Sequence, residues 1–370
     1  MKERNYGVDL LRIVAGFMIV FLHCFTLGGL VFNTRAGSAQ EIVVFICSVM
    51  SIAGVNTFAV ISGYVSCFDK EGKTKYSKYI ELWLTVLFYS IAIGAIFSFI
   101  LPYYSFMTNI KIMIFPVTSN LYWYFSAFTG LYIVKPFIDK GLRNSSVGLL
   151  KKLCIAIITG FSFVAVFADV FDLNIDVFSL YRGYSPLWII FLYIIGYSVN
   201  KCEILKKYKT SILLIMLLIT FMVAFIAAIL LKHTYVEDSV GLTGSCLVYT
   251  FPTTVVTSIL LLVIFSRIKV NDKCKKLVLG IAPTVFSIYL INCHPVLMDE
   301  LITDRFKFLC EENPLSIVWT VFGFSIGFTI AAIIIDLIRI QIFKILHIRS
   351  FACKVETGMR KVVNKLANLI

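Results

Sequence analysis

Long apolar runs recur along this chain, most of them close to the roughly 17–25 residues a helix needs to cross a bilayer. Ten are delimited: Leu10–Leu30, Ile42–Val65, Ile80–Leu101, Leu121–Phe137, Leu153–Phe171, Leu187–Val199, Ser211–Leu231, Cys246–Phe265, Leu277–Leu297 and Ser316–Ile340. A segment in hydrocarbon must satisfy its own backbone hydrogen bonds, and uninterrupted runs of this length do so as helices. The expected fold is therefore all-α, a polytopic membrane protein of about ten transmembrane helices. Composition agrees, with 59% hydrophobic and only 15% charged residues, against about 25% charged in soluble domains. So few charges cannot cover an aqueous surface. A soluble enzyme, a disordered chain and a nucleic-acid-binding module are excluded, and no nucleic-acid partner is expected.

The net charge of +13 is spread in short blocks between the runs, the distribution that sets topology. Lys2 and Arg4 precede the first run, and Lys and Arg gather in 66–79, 138–152, 200–210, 266–276 and the C-terminal tail. The alternate loops are poor in them and hold acids such as Asp172, Asp176, Glu237, Asp238, Asp299 and Glu300. Both termini are expected in the cytoplasm, which requires an even number of crossings. The membrane is expected to be the inner, cytoplasmic one. Asp9 and Arg12 at the start of the first run argue against a cleaved signal peptide. The ten Cys are scattered without a C-x-x-C pair, so neither a disulfide framework nor a metal site is implied. The segment 102–120 is broken by Pro102 and reads as an interfacial loop. One integral domain, 1–345, precedes a basic tail, 346–370. There Val355, Met359, Val362, Val363, Leu366 and Ile370 interleave with Lys354, Arg360, Lys361 and Lys365, the pattern of a helix lying on anionic membrane lipids.

Ionisable groups inside such runs are costly unless paired or hydrated. Lys135, Glu81, Asp336 and Arg339 lie near cytoplasmic ends, where snorkelling or orientation accounts for them. His23 lies deep in the first run, out of reach of snorkelling. Arg12 precedes it by eleven residues, close to three helical turns, so both project from one face about 16 Å apart. A long ligand with an anionic head, entering from the cytoplasm, would place its charge on Arg12 and its reactive end near His23.

The opening NYGVDLLRIVAGFMIVFLHC, with Arg, ten residues, then His, resembles the acyltransferase-3 family of membrane O-acyltransferases. NTFAVISGYV in the second run, LYWYFSAFTGLYIVKPFI around Trp123, Tyr132 and Pro136, and the late FSIYLINCHP are similar to further segments of that family. The resemblance implies transfer of an acyl group, usually acetyl from acetyl-CoA, to a hydroxyl of a cell-surface glycan or lipid-linked saccharide. It implies no permanently bound cofactor. It makes His23 the catalytic His and Arg12 the essential Arg. An imidazole can take the proton of an attacking sugar hydroxyl or carry the acyl group as an acyl-imidazole; both routes stay open.

Two departures accompany the resemblance. The family's Arg-rich stretch before the third span is KTKYSKYIELW here, with Lys75 and Lys78 as the donor-binding cations. The late His is replaced by Asn292, and His294 follows two residues on, about 200° around a helix. Asn56, Ser62, Trp123, Tyr124, Arg182 and His294 are candidate substrate contacts; helix-helix hydrogen bonding, an aromatic belt and a solvated loop are their plainer readings. His233 and His347 carry no assignment. The alternative function is a secondary transporter using buried Arg and His. Such folds favour paired helix breaks in two halves, and Pro252, inside the eighth run, has no partner in the other half.

Overall fold

The computed structural model describes residues 4–68, 74–171, 176, 178–231 and 247–368. Expectations placed on Lys2, Asp172, His233, Glu237, Asp238, Cys246 and Ile370 lie outside the described residues. These described residues form helices and no strand. Seven of the helical stretches are long and apolar enough to cross a membrane.

The first is α1 (Tyr6–Phe25), opened by the Asn5 side chain accepting from the Val8 amide at 3.1 Å. It ends at Phe25, and Gly29, at a left-handed φ of 89° that only glycine takes up without strain, opens α2 (Leu30–Asn33). The second stretch breaks at Ile52 and Ala53 into α3 (Ala39–Ser51) and α4 (Gly54–Ser66). The third is α5 (Tyr76–Ile100). The segment expected as a loop contains α6 (Phe106–Ile114), capped by Ser105, with Met113 buried against α5. After α7 (Trp123–Asn144) come α8 (Val147–Ile157), a π-turn over Ile158–Phe163 and α9 (Val164–Val170). Then come α10 (Pro186–Lys201), α11 (Thr210–Leu230) and α12 (Pro252–Ser266).

The ninth run is broken twice. Its parts are α13 (Asp272–Ile281), a 3-10 turn through Pro283, α14 (Val285–Asn292) and the short α15 (Pro295–Leu301). The chain ends in α16 (Pro314–Ile345) and α17 (Ile348–Ala367).

Three of the ten expected crossings fall on helices outside the seven. α7 is long but carries Lys135, Asp139, Lys140 and Arg143, while α10 has 16 residues and α12 has 15. Charge sets α7 apart, and shortness sets α10 and α12 apart. α10 runs through the core with Trp188, Ile189, Leu192 and Tyr193 almost wholly covered, so protein rather than lipid surrounds it and the length rule for a lipid-facing helix does not bind. Pro252 opens α12 rather than interrupting it, and the proline inside a helix is Pro136 of α7.

α4 and α10 meet at backbone distance. A Cβ added to Gly63 would lie 1.9 Å from the Tyr193 carbonyl oxygen, and one on Gly196 would lie 1.9 Å from that of Val60. Small residues permit this approach, on which van der Waals packing between apolar helices depends. On the same seam the Asp139 carboxylate of α7 is closed off. It pairs with Lys135, accepts from the Tyr193 hydroxyl at 2.5 Å and from Ser66 at 3.2 Å.

The tail folds back as α17 and docks on the start of α5. Glu356 accepts from the Tyr76 and Ser77 amides at 3.2 and 2.9 Å, two of the N–H groups a helix start leaves unpaired. Arg360 donates to Glu356 and to the Thr74 carbonyl, each at 2.7 Å. Burial pushes the Glu356 carboxyl up, but hydrogen bonds from Arg360 and then Ser77 outweigh it and hold the pKa down at about 2. A folded-state value below the unfolded one, about 4.3, contributes stability above that unfolded value and loses it as pH falls toward about 2. Hydrogen exchange at Tyr76 and Ser77, corrected for intrinsic rate, should therefore show unchanged protection from about pH 8 to about pH 5. Release near pH 6 would show that this carboxylate does not hold the tail.

Candidate active site

A cavity of about 1600 Å³ opens among α1, α4, α5, α7, α14 and α16. Ordinary small-molecule pockets span roughly 300–1,000 Å³, so it has room for a nucleotide joined to a long arm. Arg4, Arg12, Lys75, Lys78, Arg339 and Lys344 stand on its wall, and among the described residues its one acid is Glu81. Phe58, Tyr124 and Phe128 line it farther in, with Ser62 beside them. The Ser62 hydroxyl donates to the Phe58 carbonyl at 2.8 Å.

The inner cations are fixed by carboxylates. Asp9, 2% exposed, pairs with both Arg4 and Arg12. Asp336, 0% exposed, takes both arms of Arg339 at 2.8 and 2.7 Å and accepts from the Tyr89 and Ser287 hydroxyls at 2.7 and 2.5 Å. Arg12 and Arg339 are thus held against the cavity by buried anions instead of reaching for water, while Arg4 stays half exposed at its rim. Two bidentate or shared pairs of this kind orient guanidinium groups firmly.

Three turns above Arg12, His23 Nδ1 lies 2.5 Å from Oδ1 of Asn292, the last residue of α14. His23 keeps part of its surface open, whereas Asn292 is fully buried. An amide oxygen only accepts, so Nδ1 donates to it, and in the neutral ring Nε2 then holds the lone pair. The cavity and this pair share α14: the Tyr124 amide donates at 3.1 Å to the hydroxyl of Tyr289, one turn before Asn292. α14 ends at Asn292 and Pro295 opens the next helix, so helical rotation does not relate Asn292 to His294. His294 is 2% exposed beside Tyr122, ring centroids 6.4 Å apart.

The other candidate contacts lie elsewhere. The Asn56 amide is used between helices, donating to the Tyr249 carbonyl at 2.7 Å and accepting from Trp188 Nε1 at 3.4 Å. Trp123 stacks on Tyr249 and leans on Tyr184. Arg182 sits in a left-handed turn just before α10. The structure therefore gathers Arg12, Ser62, Lys75, Lys78 and Tyr124 around one cavity, sets His23 beyond it, and leaves Asn56, Trp123 and Arg182 on another cluster.

A family profile described as an acyltransferase domain matches residues 5–336. The chain belongs to the acyltransferase-3 family. It is a multi-pass membrane acyltransferase, and Arg12, His23 and the cavity wall up to Asp336 all fall within the family domain. No curated protein and no solved structure matches it. Membership in an acyltransferase family lends no support to the transporter alternative. Asp9, the Asp336–Arg339 pair and the meeting of Asn292 with His23 are features of this candidate site that sequence reading did not connect to it. An Asp three residues before Arg12, and an Asp three before Arg339, were the available signals, since i,i+3 pairs face each other on a helix.

Proposed function

We propose that the protein transfers an acetyl group from cytoplasmic acetyl-CoA to a hydroxyl of a cell-surface or envelope glycan, or of its lipid-linked precursor. The observation that carries this reading is the His23–Asn292 pair at 2.5 Å beyond a cationic cavity. With its Nδ1 proton held by Asn292, the ring presents Nε2 as a base. Nε2 takes the hydroxyl proton as the oxygen attacks the thioester carbonyl; the new O–C bond forms, the C–S bond breaks, and the imidazolium returns the proton to the departing sulfur. In the two-step alternative Nε2 attacks the thioester carbonyl, an N–C bond forms as the C–S bond breaks, and the thiolate of CoA leaves. The glycan oxygen then attacks the acyl-imidazole, the N–C bond breaks, and the hydroxyl proton passes to the freed Nε2.

The proposed topology has ten crossings of the inner membrane with both termini in the cytoplasm. Contacts between segments support it. Asn5 reaches Ser266, Arg267 reaches the carbonyls of Leu205 and Tyr208, and Lys201 reaches those of Leu142 and Ser145, all within the basic set. The Asp304 and Phe306 amides donate to Leu27 and Gly28, and Gln40 to Glu312, within the other set. The exposed Met359, Val362, Val363 and Leu366 of α17 lie against membrane lipid in this reading. Mass spectrometry of envelope glycans from producing and deletion strains tests the function. An acetyl mass present only in producing cells is the expected result; identical glycans in both would overturn it.

A further inference from the structure

The family match stops at residue 336, but the cavity wall does not. α16 runs on to Ile345, and His347, at a left-handed φ of 51°, turns the chain into α17. That turn brings Arg349, Ser350 and Cys353 onto the wall together with Lys344, on the same cavity as Lys75 and Lys78. We propose that this C-terminal segment completes the donor site, Lys344 and Arg349 binding phosphate groups of the nucleotide thioester while the Glu356–Arg360 clasp holds Lys75 and Lys78 beside them. The inference rests on the reading that the cavity takes acyl-CoA.

The placement of charge argues for it. Arg4 and Arg12 share the single negative charge of Asp9, and Arg339 is paired with Asp336. Among the described residues, Lys75, Lys78 and Arg349 have no carboxylate partner, and Lys344 meets only the Gln341 amide at 3.5 Å. Unspent positive charge is therefore concentrated on 75–78 and on the tail. Those two segments are the ones joined by the clasp: Glu356 bonds the Tyr76 and Ser77 amides, Arg360 bonds the Thr74 carbonyl and lies over the Tyr76 ring at 5.6 Å. Thr74 to Lys78 is the segment that carries both lysines. A polyphosphate offers several anionic oxygens to such a set, and each charge-assisted contact adds to the others.

Phosphate chemistry is shared by nucleotides and anionic lipid headgroups, and the test separates them. Full-length protein in phosphatidylcholine nanodiscs is titrated with CoA, comparing wild type with Arg349→Gln, Arg349→Lys and Glu356→Ala. Arg349→Gln and Glu356→Ala should each weaken CoA binding about tenfold, the size of one lost charge-assisted contact. Arg349→Lys should recover most of it, and the differences should shrink as salt rises. Wild type that binds no CoA would remove the donor reading itself. Wild type that binds, with Arg349→Gln and Glu356→Ala binding as tightly, would overturn this inference alone. So would variants that keep CoA affinity and lose only binding to phosphatidylglycerol-containing vesicles, because the site would then be one for lipid.

Discussion

His23→Gln is expected to bring acyl transfer to background, a loss of about 100- to 10,000-fold, the usual worth of a positioned general base. Glutamine keeps a hydrogen-bonding group facing Asn292, so the helix contact survives while the lone pair of Nε2 does not. Membrane abundance should match wild type, and CoA binding should persist because the cations on the cavity wall are untouched. The measurement is glycan acetyl content alongside protein level for each variant. Substantial acetylation by His23→Gln would reduce the His23–Asn292 contact to a bridge between α1 and α14. Asn292→Leu should give a smaller loss, since the ring would remain but its Nδ1 proton would have no acceptor to fix the tautomer.

The largest effect on folding is expected at Gly196. Its Cα faces the Val60 backbone so closely that an alanine methyl would sit 1.9 Å from the carbonyl oxygen and 2.7 Å from the carbonyl carbon. A flexible side chain could swing away; a helix backbone cannot, so α4 and α10 must separate along the whole seam. The cost should exceed the about 1–3 kcal/mol of ordinary overpacking. Gly196→Ala should lower the yield of monodisperse protein several-fold, and Gly196→Val should abolish it. Gly323→Ala is the control, because nothing lies within 4 Å of the added methyl on α16. Equal yields from Gly196→Ala and Gly323→Ala would refute the close approach.

How far the sequence could be read differs from residue to residue. Arg12 and His23 stood out because charge and imidazole are rare in apolar runs, and helical geometry alone puts them on one face. Hydropathy also located every apolar run that became a helix of the bundle. It could not tell which helices face protein rather than lipid, because the buried 16-residue α10 and the largely exposed 21-residue α11 both read as apolar runs. α7 was readable as a run only to Phe137, since Asp139, Lys140 and Arg143 look like a loop until Tyr193 and Ser66 are seen to close around the carboxylate. Asn292 looked like a loss, being an amide where an imidazole was expected. Its value depends on His23, 269 positions away, and no local pattern encodes that meeting. Arg339 looked like a snorkelling end for the same reason: Tyr89 and Ser287, which make Asp336 a fixed anion, come from other helices.

The closure of Asp139 by Tyr193 also bears on how the protein is made. On its own, α7 satisfies the Asp139 carboxylate only through Lys135, one turn before it in the same helix, and the hydroxyls of Ser66 and Tyr193 must come from other helices. Ser66 is already synthesised when α7 emerges, but Tyr193 is 54 residues later. The full set of bonds on this carboxylate is therefore complete only once α10 has been made.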